Sequence, residues 1–337
     1  MAPEVFMFNE EQKQKFIHYQ TESESARNGI AKVFGTLERF EVELGKDLAE
    51  FTDEEMCETF SRGVGLRNST RTSYGYIVNR YLEWAKKQGV DVVCNEIKID
   101  SDTLVERYRQ KMVFSPEHLN RYMDAVFGGT DDCSAGLICR CYLWLAFCGV
   151  DIMDAERLDA RNVDIDQMRA VVNGREVPLY AESIKAFRVL KNSDEIRVIN
   201  SLYPDKLIMM QREDGTRLLR GQKRVGVSKA VIKEGEHGNL SGEVQRRTRK
   251  AVDAGVVTAR LNFKNVKLSG VFYRMYAREE MGIKPDFTVI AAFDLRDKKF
   301  ASNLSYNSSI SRIRTAYKKD YALWKSAYEL YKEDSHL

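Results

Sequence analysis

Proline is scarce in this sequence, with five in 337 residues. So few ring-locked positions leave little room for extended linkers and favour a helix-rich chain. Long apolar runs are missing too. The longest, CYLWLAFCGV at 141–150, has about half the length a membrane span needs. The N-terminus, MAPEVFMFNEEQ, lacks the basic and apolar regions of a signal peptide, so a cytoplasmic protein is expected. Histidine is rarer still, at His18, His118, His237 and His336, and the six cysteines form no CxxC pair. A structural zinc site wants a tighter ligand cluster, so neither metal nor cofactor is expected. Cys133, Cys139, Cys141 and Cys148 lie on or beside one apolar helix and read as small buried hydrophobes.

Apolar residues make up 43% of the chain and charged ones 31%, as in a soluble globular protein of about two domains. The net charge of +3 conceals a segregation. Residues 1–60 hold 6 Lys and Arg against 14 Asp and Glu, whereas residues 212–250 hold 11 against 5. A basic surface on one part of the structure follows, although a solvated charged face would give the same count.

The first third reads as helices. Thr52 and Glu55 form a capping box ahead of DEEMCETF. SARNGIAKVFGTLERFEVEL and STRTSYGYIVNRYLEWAKKQG both repeat apolar residues at three- and four-residue spacing. Ser115-Pro116 opens SPEHLNRYMDAVF as N-cap and N1 proline. A helical domain over 1–127 with a short N-terminal arm, a linker at 128–134 and a mixed second domain over 135–337 are expected. In the latter, 135–148 is a helix, MRAVVNGREVPLY a hairpin around Asn173-Gly174, ESIKAFRVLKN a helix and DKLIMMQ a buried strand. EVQRRTRKAVDAG, LSGVFYRMYAREEMG and SISRIRTAYKKDYALWKSAYEL read as further helices. The fold class is therefore mostly α with a small β component.

Four stretches, in this order and spacing, resemble the tyrosine recombinase (phage integrase) family. STRTSYGYIVNRYLEWAKKQG is similar to a core-binding helix. CGVDIMDAERLDARNVDID is similar to the box T-G-L-R-x-x-E-L-x-x-L…D-I-D. NGREVPLY is similar to the hairpin before Val-Pro-Leu, and YNSSISRIRTAYKKDY to the Gly-His-Ser-Ser…Tyr box. The resemblance implies a helical core-binding domain and a mixed α/β catalytic-fold domain that close around duplex DNA. It also implies a tyrosine that attacks phosphate, two arginines that neutralise it, a hairpin lysine and two histidine-like positions.

Most of that set is missing here. Asp151 stands in the first arginine's place, where an anion repels phosphate, and Asp154 stands in the glutamate's. No lysine occurs between Val163 and Ile184, which leaves Arg169 and Arg175, and arginine is a poor proton donor. The second arginine box has two candidates, Lys267 and Arg296. Arg296 lies only 11 residues before Asn307, about half the family's separation, so Lys267 fits better. Tyr306-Asn307 replaces Gly-His, and Tyr317 sits near the nucleophile's place, with Tyr321 one turn later. Losing one charge stabiliser costs about a hundredfold or more in rate, so losing several implies an inactive site.

A grip on DNA can outlive the chemistry, because phosphate contacts need only cations and short hydroxyls. Candidates are Arg67, Ser69, Thr70 and Arg71 at a helix start, where amides also favour anions. Others are Arg220, Lys223 and Arg224, then Arg246, Arg247, Arg249 and Lys250, then Lys267, and finally Ser308, Ser309, Arg312 and Arg314. A recombinase scaffold stripped of its catalytic set is similar to phage lysogeny repressors. The expectation is thus a DNA-binding regulator on operator sites at a bacterial nucleoid, not an enzyme, with a protein or peptide regulator as an open second partner and no membrane. An active or accessory recombinase using Arg296 and Tyr317 is the alternative, and a protein-binding adaptor is the second.

Overall fold

The computed structural model describes residues 7–94, 97–131, 133–199, 207–221, 240–295 and 302–335. They are mostly helical, with two small antiparallel sheets. Two compact units emerge, one of residues 1–108 with 286–337 and one of 109–285.

In the first unit, α1 (Glu10–Gln20), α2 (Glu24–Leu44), α3 (Asp53–Gly63), α4 (Asn68–Lys87) and most of α5 (Ser101–Lys111) are joined by α12 (Phe287–Leu295) and α13 (Asn303–Ser335). The capping box of α3 forms as expected, with the Thr52 hydroxyl accepting from the Glu55 amide and the Glu55 carboxylate from the Thr52 amide. The core is aromatic. Phe16, Phe34 and Tyr81 meet edge to face at 5.2–5.9 Å between ring centres. At its edge a fully buried lysine, Lys13, pairs with Glu41 and, at 3.2 Å, with Asp47. Tyr81 donates to Asp47 at 2.7 Å and the Leu48 amide to Glu41 at 2.9 Å, so one polar knot ties α1, α2 and α4 together.

The second unit is built around α7 (Ala135–Phe147), which is apolar on every face but for Arg140 and buried from Gly136 to Phe147. It packs against α6 (Pro116–Phe127), α9 (Ala181–Asn192), α10 (Leu240–Asp253) and α11 (Phe263–Glu280). Cys133, Cys139, Cys141 and Cys148 are all buried, and burial pushes the Cys139 and Cys148 thiols up to about 12. A three-stranded sheet joins β1 (Val163–Asp164), β2 (Arg169–Val172) and β3 (Arg175–Pro178). Its hairpin turns at Asn173 and Gly174, both at positive φ (50° and 75°), as a tight two-residue turn requires.

Several expectations need correcting. DKLIMMQ does supply a strand, β5 (Leu207–Gln211), but Leu207, Ile208 and Met209 are exposed. Its sheet has one other strand, β4 (Glu195–Ile199), and the paired Ile196 and Met210 pack on the core while Leu207, Ile208 and Met209 stay in solvent. Helix α12 falls in a stretch to which the sequence assigned no element, and α1 within the one read as an arm. The compact units also divide differently from 1–127 and 135–337. Helix α6 belongs with the second unit, where the Tyr122 hydroxyl donates to the Ala259 carbonyl at 2.6 Å. Gly128, read as the start of a linker, is a helix end whose carbonyl accepts from Arg140 at 2.6 Å.

Candidate functional site

The positions singled out by the resemblance fall in both units. In the second, α7 ends at Phe147, whose carbonyl accepts from Arg274 of α11 at 2.6 Å. Gly270 lets α11 approach this end closely, because a Cβ there would run into the Phe147 carbonyl. Gly149 follows at φ +92°, and a Cβ on it would lie 2.9 Å from the Arg274 guanidinium. The chain then enters α8 (Ile152–Arg157) with Asp151 at the N-cap. Its carboxylate caps no α8 amide and instead pairs with Lys267 of α11. The two residues expected at the two arginine positions therefore neutralise each other. Asp154 accepts from the Asn173 amide at 2.9 Å, which ties α8 to the hairpin turn. On the hairpin, Arg169 pairs with Glu176 across the strands.

In the first unit, Tyr317 is buried on α13 and its hydroxyl donates to Asp294 of α12. The Arg67 guanidinium lies 4.8 Å from the centre of the tyrosine ring. Burial raises the phenol above its ordinary 10, Arg67 opposes the rise and Asp294 adds to it. A hydroxyl in that state is a structural donor and a poor nucleophile.

One turn further along α13, Asp320 is fully buried. It accepts from the Asn68 amide at 2.7 Å, the Tyr108 hydroxyl at 2.9 Å and Arg67 at 3.4 Å, with Arg71 at 3.8 Å. Arg71 also donates to the Leu66 carbonyl and is 3% exposed. The start of α4 thus holds an anion, and that anion is internal, the Asp320 carboxylate. This corrects the phosphate role given to Arg71, whose guanidinium is used up inside the fold. Arg67 is engaged in the same way at its inner end, while Ser69 stays exposed and Thr70 half-buried. Asp294 and Asp320 were missed from sequence, where lone acids on helices carry no mark of a distant partner.

The remaining candidates separate by their partners. Arg220 donates to Asp194 and to the Gly215 carbonyl, both at 3.0 Å. Lys223, Arg224 and Arg296 lie outside the described residues. On α10, Arg246 and Arg247 both turn to Glu243, while Arg249 and Lys250 are exposed. On α13, Asn307, Ser308, Arg312 and Arg314 are exposed and Ser309 is half-buried. Lys318 and Lys319, which the sequence reading passed over, are exposed beside them. No cluster of metal-ligating side chains occurs among the described residues.

Residues 7–87 match the family described as MrpR, N-terminal core-binding domain. No curated protein sequence matches the chain. Among solved structures, it is similar to the integrase of mycobacterium phage Brujita at 13% identity, covering 90% of this chain and 91% of that one, with a TM-score of 0.29. The XerA recombinase is 15% identical over 93% of this chain and 98% of its own, at a TM-score of 0.32. The Tn1549 transposon integrase, in complex with a circular intermediate DNA, is 14% identical over 91% of this chain and all of its own, at 0.35. Scores this low are no ground for transferring a fold or a function.

Proposed function

We propose that this chain is a sequence-specific regulator that binds double-stranded DNA on a tyrosine-recombinase-like scaffold and does not cut it. The observation that carries the reading is the match of residues 7–87 to a core-binding domain. Two features favour binding without cleavage. Asp151 and Lys267 neutralise each other where the resemblance calls for two cations, and the Tyr317 hydroxyl is spent on Asp294. Losing even one charge stabiliser costs about a hundredfold or more in rate. The finer reading, a prophage repressor acting in the cytoplasm on operator sites, rests on the resemblance of the sequence to phage lysogeny repressors.

The test uses the full chain, genomic fragments recovered with it, and a supercoiled plasmid carrying those fragments. Retarded bands that outlast added competitor DNA are expected, with no change in plasmid topology and no denaturation-resistant adduct. An adduct that disappears on Tyr317→Phe would turn the reading to an active recombinase. Absence of any duplex binding at low salt would turn it to a protein-binding adaptor.

A further inference from the structure

Helix α13 carries an exposed cationic face that no acid balances locally. From Asn303 to Lys319 there is no Asp or Glu, and Arg312, Arg314, Lys318 and Lys319 are all exposed. None of the four has an ion-pair partner among the described residues, unlike Arg246 and Arg247 of α10, which share Glu243. Ser308, Arg312, Thr315 and Lys319 are spaced by four, three and four residues, and all four are exposed, so they form one stripe. At about 1.5 Å per residue the stripe runs for about 16 Å. Ser311, Arg314 and Lys318 flank it on one side.

The opposite face of the helix is anchored. Ala316, Tyr317, Asp320, Tyr321 and Trp324 are buried, Tyr317 is tied to Asp294, and Asp320 holds the start of α4 and the end of α5. The stripe therefore lies on a packed element, which fixes its cations relative to one another.

We propose that this stripe, together with the flanking Lys318, is a phosphate-contacting face for duplex DNA, with Arg312, Lys318 and Lys319 as its cations and Ser308 as a neutral donor, the Thr315 hydroxyl being donated to the Ser311 carbonyl at 3.0 Å. Cations interleaved with short hydroxyls match the donors that bind phosphate backbones. A lipid surface fits less well. A helix lying in a bilayer interface needs its apolar face free, and here that face is buried in the first unit. The inference rests on the duplex-binding reading above and adds where part of the grip lies.

The experiment compares the full chain with the triple variant Arg312→Ala, Lys318→Ala, Lys319→Ala on a random-sequence duplex across a series of KCl concentrations. Each lost phosphate contact should flatten the slope of log K against log salt by about 0.9, so the triple variant should lose about 2 to 3. Binding should weaken by about tenfold or more, to a similar extent on specific and random DNA. The charge-keeping variant Arg312→Lys, Lys318→Arg, Lys319→Arg should hold the slope, and all variants should melt like the parent. If the parent binds duplex with an unchanged slope in the triple variant, this surface is wrong and the functional reading stands. The same follows if Arg249→Ala with Lys250→Ala removes the slope instead. Loss of binding to phosphatidylserine vesicles, with duplex binding intact, would assign the face to membranes. A parent chain that binds no duplex overturns the functional reading itself.

Discussion

Two stretches in the first unit read alike in sequence and behave oppositely. Arg67-Asn68-Ser69-Thr70-Arg71 opens α4, and Ser308-Ser309-Ile310-Ser311-Arg312 lies near the start of α13. Both mix arginine with short polar residues. At α4 the arginines turn inward onto Asp320 and Tyr317, whereas at α13 Arg312 stays in solvent. The difference is an acid about 250 residues away along the chain, and local sequence holds no trace of it. A cationic stretch announces an anion without saying whether the anion belongs to a ligand or to the fold.

The sharpest way to break this comparison is to remove the internal anion. Asp320→Ala would leave the buried Arg71 charge uncompensated and the Asn68 amide and Tyr108 hydroxyl without their acceptor. Removing one side of a buried ion pair typically costs about 3–5 kcal/mol, and urea denaturation should show a loss of that order in the first unit. Arg312→Ala, in the outward-facing stretch, should move stability by no more than about 0.5 kcal/mol. Equal effects from the two substitutions would show that Asp320 does not organise α4.

A second buried acid in the same unit adds a pH test. Glu41 faces Lys13 from α1, Asp47 from the turn after α2, Tyr81 from α4 and the Leu48 amide. Burial pushes its carboxyl up to about 7 from the ordinary 4.5, against the opposing pull of Lys13. Between these values the folded unit binds more proton than the unfolded chain, so stability falls as pH rises and levels off above about 7. A loss on the order of 1–3 kcal/mol across that window is expected. Glu41→Gln should flatten the profile, because an amide stays neutral throughout. A profile that keeps its slope in the variant would place the titrating group elsewhere.

Local features were legible in sequence wherever their causes were local. The α3 capping box, the Ser115-Pro116 helix start, the Asn173-Gly174 hairpin and the apolar α7 are each fixed by a few neighbouring residues. What escaped depends on distant partners. Helices α12 and α13 belong to the first compact unit, although the chain between Arg109 and Pro285 builds the second. The apolar run at β5 read as buried, yet only Met210 packs against the core and Leu207, Ile208 and Met209 are exposed. Of the candidate cations, Arg71, Arg246 and Arg247 were read as phosphate contacts, and each has an acid partner within the structure. Charge counting sees cations and acids in equal detail, but pairing is settled by the fold.

The smallest expected effect sits in the second unit and sharpens the comparison from the other side. Asp151 and Lys267 form a pair like that of Arg71 and Asp320, but their side chains are 43% and 20% exposed. Water already solvates part of both charges, so the pair should contribute within about 1 kcal/mol, and salt should weaken it further. A double-mutant cycle with Asp151→Asn and Lys267→Met isolates that coupling from any packing change at α11. Asp151 caps no amide of α8, so replacing it should not fray that helix. A coupling below about 1 kcal/mol that shrinks in added KCl is the expected result. A coupling as large as the loss in Asp320→Ala, and insensitive to salt, would mean that the pair holds the α7–α11 crossing together, a role that the contact at Gly270 otherwise fills.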